Sequence, residues 1–346
     1  MREGNGMTVR VNGPNRATST GRARLLAAVA GAVVALSLTI TACGSDSTAD
    51  DGNSGPLKIR VAYGPGFGSL PVVIAAEKGY FKANGLDVTL TEGLDLAAYL
   101  GALGAQFDVV MGLPPGILQA SGRGVALTVI SGLNRTDAAH VNNPVLTKDA
   151  TIKSAADLAG KTVGVPTLTG ISADAVRYVV RQQTGKDVKL VQVPPDAMAD
   201  QITAGRIDAA VSAIPYFTGV ESRGIRVLDD VVIQAVKLAT GNKDDSALLG
   251  AFIATPSYVD KHPEVATAWR KSLQQGADFI AANEKEARAI LQQHAKLPAA
   301  VAANAPLPNF VATTSAADFQ PFVTIGETIG SLRKTPDLGT LIHQEK

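Results

Sequence analysis

From Leu57 to Tyr63 apolar and polar residues alternate with period two, and the run stops at Gly64-Pro65, which predicts a strand and a turn. Between Leu70 and Phe81 the apolar positions return at helical spacing, with Gly79 placed to end the helix. The pattern then predicts a strand at Leu86–Leu90, a helix at Leu94–Leu103 and a short strand at Asp108–Met111. A helix around Ile117–Ala120 and a strand at Ala126–Ile130 follow. Strands that alternate with helices in this way imply a mainly parallel sheet covered by helices.

A second series of the same kind begins after Val141-Asn142-Asn143-Pro144. Ser154-Ala155-Ala156-Asp157 has the spacing of a capping box for a short helix. Strands are expected at Lys161–Val165, Val188–Val193 and Asp208–Ser212, with helices at Ile171–Thr184, Ala197–Ala204 and after Pro215. Two polar, extended stretches, 140–148 and about 235–254, flank this series and read as crossovers between two similar α/β lobes. Beyond them the pattern is helical. Thr255-Pro256 reads as an N-cap with Pro at the first helical position, before a long helix at Pro263–Asn283. Further helices are expected near 284–295, 298–305 and 316–333, packed back onto the first lobe.

The N-terminal part differs in kind. Arg2, Arg10, Arg16, Arg22 and Arg24 precede an apolar run from Leu25 to Ile40. That run is shorter than the ~20 residues needed to span a bilayer. Basic, then apolar, then small is the order of a secretory signal. Ile40-Thr41-Ala42-Cys43 resembles the lipobox of bacterial lipoproteins, which implies a signal peptide over 1–42 and lipidation of Cys43. Residues 43–56 are Ser, Asp, Gly and Asn with almost nothing apolar, and read as a flexible tether.

Cys43 is the only cysteine of the 346 residues, so no intrachain disulfide, cysteine nucleophile or cysteine zinc site is expected. Five Arg and one Glu lie before it, which leaves 27 basic and 30 acidic residues, a net charge of −3. No basic block or aromatic-interleaved patch is present, and this argues against nucleic acid as a partner.

Enzyme signatures nearly form and then fail. Gly160-Lys161-Thr162 resembles the end of a P-loop, but Ala155 stands where the first Gly belongs and the segment leads from helix into strand. Gly64-Pro65-Gly66-Phe67-Gly68 has the wrong spacing for a dinucleotide fingerprint. His140, His262, His294 and His343 lack ligand spacing, so no metal is expected. The acid pairs Asp229-Asp230 and Asp244-Asp245 read as solvated loops. These patterns predict no enzyme, no catalytic residue and no cofactor.

What remains is a set of loops at the C-terminal ends of predicted strands, where open α/β sheets bind ligands. Gly64–Ser69, Gly112–Pro115, Pro166–Ser172 and Ala213–Tyr216 each combine small or hydroxyl residues with a helix start. Exposed N–H groups there could cradle an anion.

At these residues a family resemblance emerges. Ser69-Leu70-Pro71 and the block Ala75 to Val88, with Lys78-Gly79-Tyr80-Phe81 and Gly85-Leu86-Asp87-Val88 at its centre, resemble the opening of solute-binding proteins for nitrate, sulfonate and taurine transporters. Asp157–Val165, Ala204–Val211 and Lys261–Glu264 match later blocks of that family, so the resemblance covers about residues 57–330. It implies a type II periplasmic-binding-protein fold, with lobe 1 at 57–143 and 250–346 and lobe 2 at 144–249. It also implies a monomeric receptor, held by lipid outside the cell membrane, that delivers a small-molecule solute to an ABC permease.

Carried over residue by residue, the resemblance places Tyr63, Gly64, Phe67, Gly68, Ser69 and Gly112 in the cleft, with Met111 and Asn134 as further contacts. From lobe 2 it adds Thr167, Thr169, Gly170, Ser212, Pro215 and Tyr216. Ala213-Ile214, where the family often has an acidic or aromatic residue before Pro, implies a less polar pocket than a nitrate site. The expected solute is an organic anion such as an alkanesulfonate; the alternatives are an aromatic carboxylate or a thiamine-precursor pyrimidine. Two rival functions are a pyrimidine-synthase-like enzyme and a signalling receptor.

Overall fold

The computed structural model describes residues 55–344. The expected signal peptide, Cys43 and all of the expected tether but its last two residues lie outside these.

The first half of the chain runs β1 (Leu57–Tyr63), α1 (Leu70–Glu77), α2 (Tyr80–Ala83), β2 (Leu86–Glu92), α3 (Leu96–Gly101), β3 (Val109–Gly112), α4 (Pro114–Gly122) and β4 (Thr128–Thr136). Gly79, at φ +70°, splits the expected helix into α1 and α2. The next helix starts at Leu96 because the Asp95 carboxylate accepts the Ala98 N–H at 2.9 Å.

The chain then enters β5 (Pro144–Thr147), β6 (Thr162–Val165), α5 (Ile171–Thr184), β7 (Lys189–Gln192), α6 (Met198–Thr203), β8 (Ala209–Val211), β9 (Arg226–Asp230) and α7 (Val231–Ala239). The Ser154–Asp157 capping box forms on a single 3-10 turn. No helix follows Pro215; the chain turns there and makes only a 3-10 turn at Val220–Arg223.

The last part holds β10 (Ala247–Ala254), α8 (Pro256–Lys261), α9 (Val265–Ala282), α10 (Glu284–Ala295), α11 (Ala299–Asn304), β11 (Asn309–Phe310), α12 (Ala316–Ile329) and α13 (Leu338–Leu341). The Thr255 hydroxyl accepts the Tyr258 N–H at 3.2 Å and caps α8.

Two sheets result, ordered β11-β4-β10-β3-β1-β2 and β7-β6-β8-β5-β9. Apart from β11 they share one plan. The first strand lies between the second and third, and a strand reached by a crossover separates the third from the fourth. That inserted strand is β10 in one sheet and β5 in the other, and each runs antiparallel to both neighbours. The fold is therefore mixed α/β with two lobes, and the sheets are parallel except at these insertions and at the β11 edge.

Residues 144–147 and 247–254 are thus strands, and 231–239 a helix, where the sequence pattern suggested extended crossovers. All eight residues of β10 are buried, because helices cover both faces of its sheet. Only 137–143 and 240–246 connect the lobes outside regular structure.

On one face of the first sheet Trp269 of α9 is fully buried, stacked on Phe81 at 4.8 Å and edge-on to Phe252 at 4.9 Å. Its indole N–H donates to the Ser131 hydroxyl at 3.1 Å, which satisfies its one polar atom.

The C-terminal helices divide their packing. α9 and α10 pack on α1, as expected, but α12 packs on α4 of lobe 1 and on α5 and α7 of lobe 2. Phe319 and Phe322 give α12 an apolar face that joins a core shared by both lobes. Arg135 of β4 pairs with Asp318 of α12. Burial pushes the Asp318 carboxyl up, but Arg135, the Ser315 N–H and the Thr314 hydroxyl outweigh this and hold it below the usual range.

Candidate functional site

A cavity of about 380 Å³ opens at the C-terminal ends of β1, β3, β6 and β8. Lobe 1 supplies Phe67, Gly68, Ser69, Met111 and Asn134 of the expected residues, and lobe 2 supplies Thr167, Thr169 and Gly170.

Six expected residues stand off the wall. Tyr63 is buried, and its hydroxyl donates to Glu92 at 2.9 Å across the β1–β2 pair. The Gly64 carbonyl accepts the Ser69 hydroxyl at 2.6 Å. Gly112 faces Ile253 and Ile117, where a Cβ would come within 2.7 and 2.9 Å. Ser212 is fully buried and its hydroxyl has no partner. Pro215 and the exposed Tyr216 lie past the wall, which Ala213 and Ile214 form instead.

Sequence reasoning missed Asn142, Asn143 and Leu249, and reached Ser172 only as the end of the Pro166–Ser172 loop. The two asparagines belong to the first crossover, and a segment that joins two lobes must pass behind the cleft between them. That position was the available signal. Leu249 was hidden by the misreading of β10.

The hydrogen-bonding state of the wall restricts what it can hold. The Ser69 hydroxyl gives its proton to the Gly64 carbonyl, and Thr167 gives its proton to the Thr169 carbonyl at 2.6 Å. Each has one proton, so toward a further partner each oxygen can act only as an acceptor. Asn134 is only 5% exposed, and its Oδ1 has no partner. The amide sits in a slot between glycines: a Cβ at Gly68 would lie 2.7 Å from Nδ2, and one at Gly250 would lie 2.9 Å from Oδ1.

Donors are fewer. Asn143 Nδ2 donates to Ser172 Oγ at 3.2 Å, which leaves the Ser172 proton free to point into the cavity. Gly170, at φ +99°, starts α5 without a side-chain cap, so the first N–H groups of that helix also face this end. Among the described residues no Lys, Arg, His, Asp or Glu side chain lines the wall. Phe67, Met111, Leu113, Ile171, Ile214 and Leu249 make the rest of it apolar.

Among the described residues no group of three or more His, Cys, Asp or Glu is placed to hold a metal ion. No helix among them is long and apolar enough to cross a membrane.

The family model described as NMT1/THI5 like matches residues 67–287. The chain belongs to this family. Its fold is that of the aliphatic sulphonate binding protein SsuA from Escherichia coli, with a TM-score of 0.67 at 18% identity over 83% of this chain and 98% of that one. A Haemophilus influenzae protein, provisionally named for thiamine biosynthesis, is 27% identical over 212 residues. That match covers 56% of this chain and 66% of the relative's length. The formylaminopyrimidine-binding protein of Halalkalibacterium halodurans is 23% identical over 287 residues, 75% of this chain and 78% of that one. Within the family fold, the cavity occupies the cleft between the lobes.

Proposed function

We propose that this chain is the extracytoplasmic solute receptor of an ABC importer, and that its solute is a small, flat, nitrogen-rich heterocycle of the aminopyrimidine class. The observation that carries the solute class is an uncharged wall with acceptors on it: the Ser69 and Thr167 hydroxyls have both given their protons to backbone carbonyls. A solute that bears N–H groups satisfies them, whereas a sulfonate or nitrate brings only further acceptors. Phe67, Met111 and Ile214 offer apolar surface to the ring faces. The name of the Halalkalibacterium relative points the same way.

The anion reading has one observation in its favour. The uncapped N-terminus of the 14-residue α5 presents unpaired N–H groups to the cavity, a feature that suits a sulfonate. A calorimetric titration separates the two readings. Formylaminopyrimidine should bind, and at 100 times its dissociation constant it should stabilise the protein by about 2.7 kcal/mol. Taurine, ethanesulfonate and nitrate should not. If only the sulfonates give heat, the aminopyrimidine reading is wrong.

The receptor acts as a monomer, releases its solute unchanged to a membrane permease and carries out no chemistry on it. Of the four histidines, none lines the cavity. An acyl anchor on Cys43 holds it at the outer face of the cell membrane. Cys43→Ser should move the protein from the membrane fraction to the soluble one and abolish labelling by a fatty-acid probe. Persistence of both would remove the anchor from this account.

A further inference from the structure

Asp230 reads from sequence as half of a solvated acid pair, yet it is 3% exposed while Asp229 beside it faces solvent. Its Oδ1 caps α7, accepting the N–H groups of Val232 at 2.9 Å and Ile233 at 3.3 Å. Its Oδ2 gathers three donors from elsewhere. These are the Thr136 hydroxyl at 2.7 Å, the Asn143 N–H at 2.7 Å and the Asn142 N–H at 3.0 Å.

The donors belong to different parts of the molecule. Thr136 ends β4 of lobe 1, Asn142 and Asn143 lie on the first crossover, and α7 belongs to lobe 2. Thr136 Oγ1 also lies 3.0 Å from the His140 carbonyl, but its single proton goes to the closer, charged acceptor. The helix cap alone does not require a carboxylate, because Asn caps a helix as well as Asp. The requirement comes from Oδ2, where three donors meet and only an oxygen will serve.

We propose that Asp230 is a positioning residue: its carboxylate clamps the first crossover to both lobes and so fixes where Asn142 and Asn143 stand in the solute cavity. The inference rests on the solute-receptor reading, since both asparagines and Ser172, which Asn143 contacts, line that cavity.

Asp230→Asn separates the two halves of the device. It keeps an oxygen for the cap of α7 and turns an NH2 group toward the three donors. The full-length chain carrying Cys43→Ser can be spin-labelled through Lys82→Cys and Lys153→Cys, two exposed positions on opposite lobes. Pulsed EPR then reads the interlobe distance without ligand, and calorimetry reads the affinity for formylaminopyrimidine. Asp230→Asn should broaden or shift the ligand-free distribution and weaken binding by at least about tenfold. Thr136→Val should move both in the same direction by less, and it decides the matter if Asp230→Asn does not fold.

A lowered melting temperature with distribution and affinity unchanged would reduce Asp230 to a structural cap and overturn the proposal. If the parent protein binds neither the pyrimidine nor the sulfonates, the solute reading fails. The ligand-free distance then judges the clamp alone.

Discussion

Asp174→Asn is expected to stabilise the protein at pH 7.5 and to leave its stability almost unchanged at pH 3.5. Asp174 lies one turn into α5 and is 3% exposed. It stands where Leu118 and Gln119 of α4 meet Phe322 and Ile325 of α12. Burial pushes its carboxyl up to about 6; the Ser331 hydroxyl, which donates to it at 3.1 Å, and Arg177, at 3.8 Å, oppose this only in part.

The unfolded chain has the ordinary aspartate value of about 3.9. The native state therefore holds this proton more tightly than the unfolded one. Its contribution is greatest below pH ~4, falls as the pH rises to ~6, and stays lost above that. A shift of about two units corresponds to about 3 kcal/mol. Other carboxylates, such as Asp108 and Asp137, are held below their usual values and act in the opposite sense as the pH falls. The difference between variant and parent cancels them. Denaturant melts of both proteins at the two pH values measure it, and an equal difference at both would show that Asp174 does not titrate across this range.

Asn134→Leu should give the largest loss of binding. Leucine fits the volume of the amide and removes both of its polar atoms, Nδ2 beside Gly68 on the cavity wall and the unpartnered Oδ1 behind it. Affinity for formylaminopyrimidine should fall by about 1–3 kcal/mol, roughly five- to 150-fold. The empty protein should become more stable, because a buried carbonyl without a partner is itself a cost. Calorimetry together with thermal melts tests both halves. Unchanged affinity would move the solute's polar edge away from Asn134. The opposite signs matter more than either magnitude, since a residue kept only for packing would lose stability and binding together.

Elements whose local signals agreed were legible in the sequence. α5 was bounded to the residue because its amphipathic pattern lies between Gly170 and Gly185, both with positive φ. β1 was equally plain, as alternation ended by a glycine-proline turn. β10 was not. Ala247–Ala254 is apolar at every position, which is the mark of a strand covered on both faces, but a polar stretch just before it drew the whole segment into a loop.

The same misreading hid α7, whose N-cap is Asp230 and whose apolar run begins at the next residue. In the cavity, sequence reached the loops after β1 and β6, where small and hydroxyl residues precede helices. It overreached at Ser212, a residue of suitable chemistry that points into the protein. Which way a side chain faces at a strand end depends on the last turn of the backbone, and composition does not record that.

The inserted strands also bear on the order in which the molecule can assemble. The five strands of the second sheet all lie between Pro144 and Asp230, whereas the first sheet cannot join β3 to β4 until β10, at Ala247–Ala254, arrives. A chain that emerges from its N-terminus can thus finish its second lobe while the first still has two open edges. Unpaired edges template association between chains. The hazard of misassembly is concentrated in that interval, and one fully apolar strand ends it.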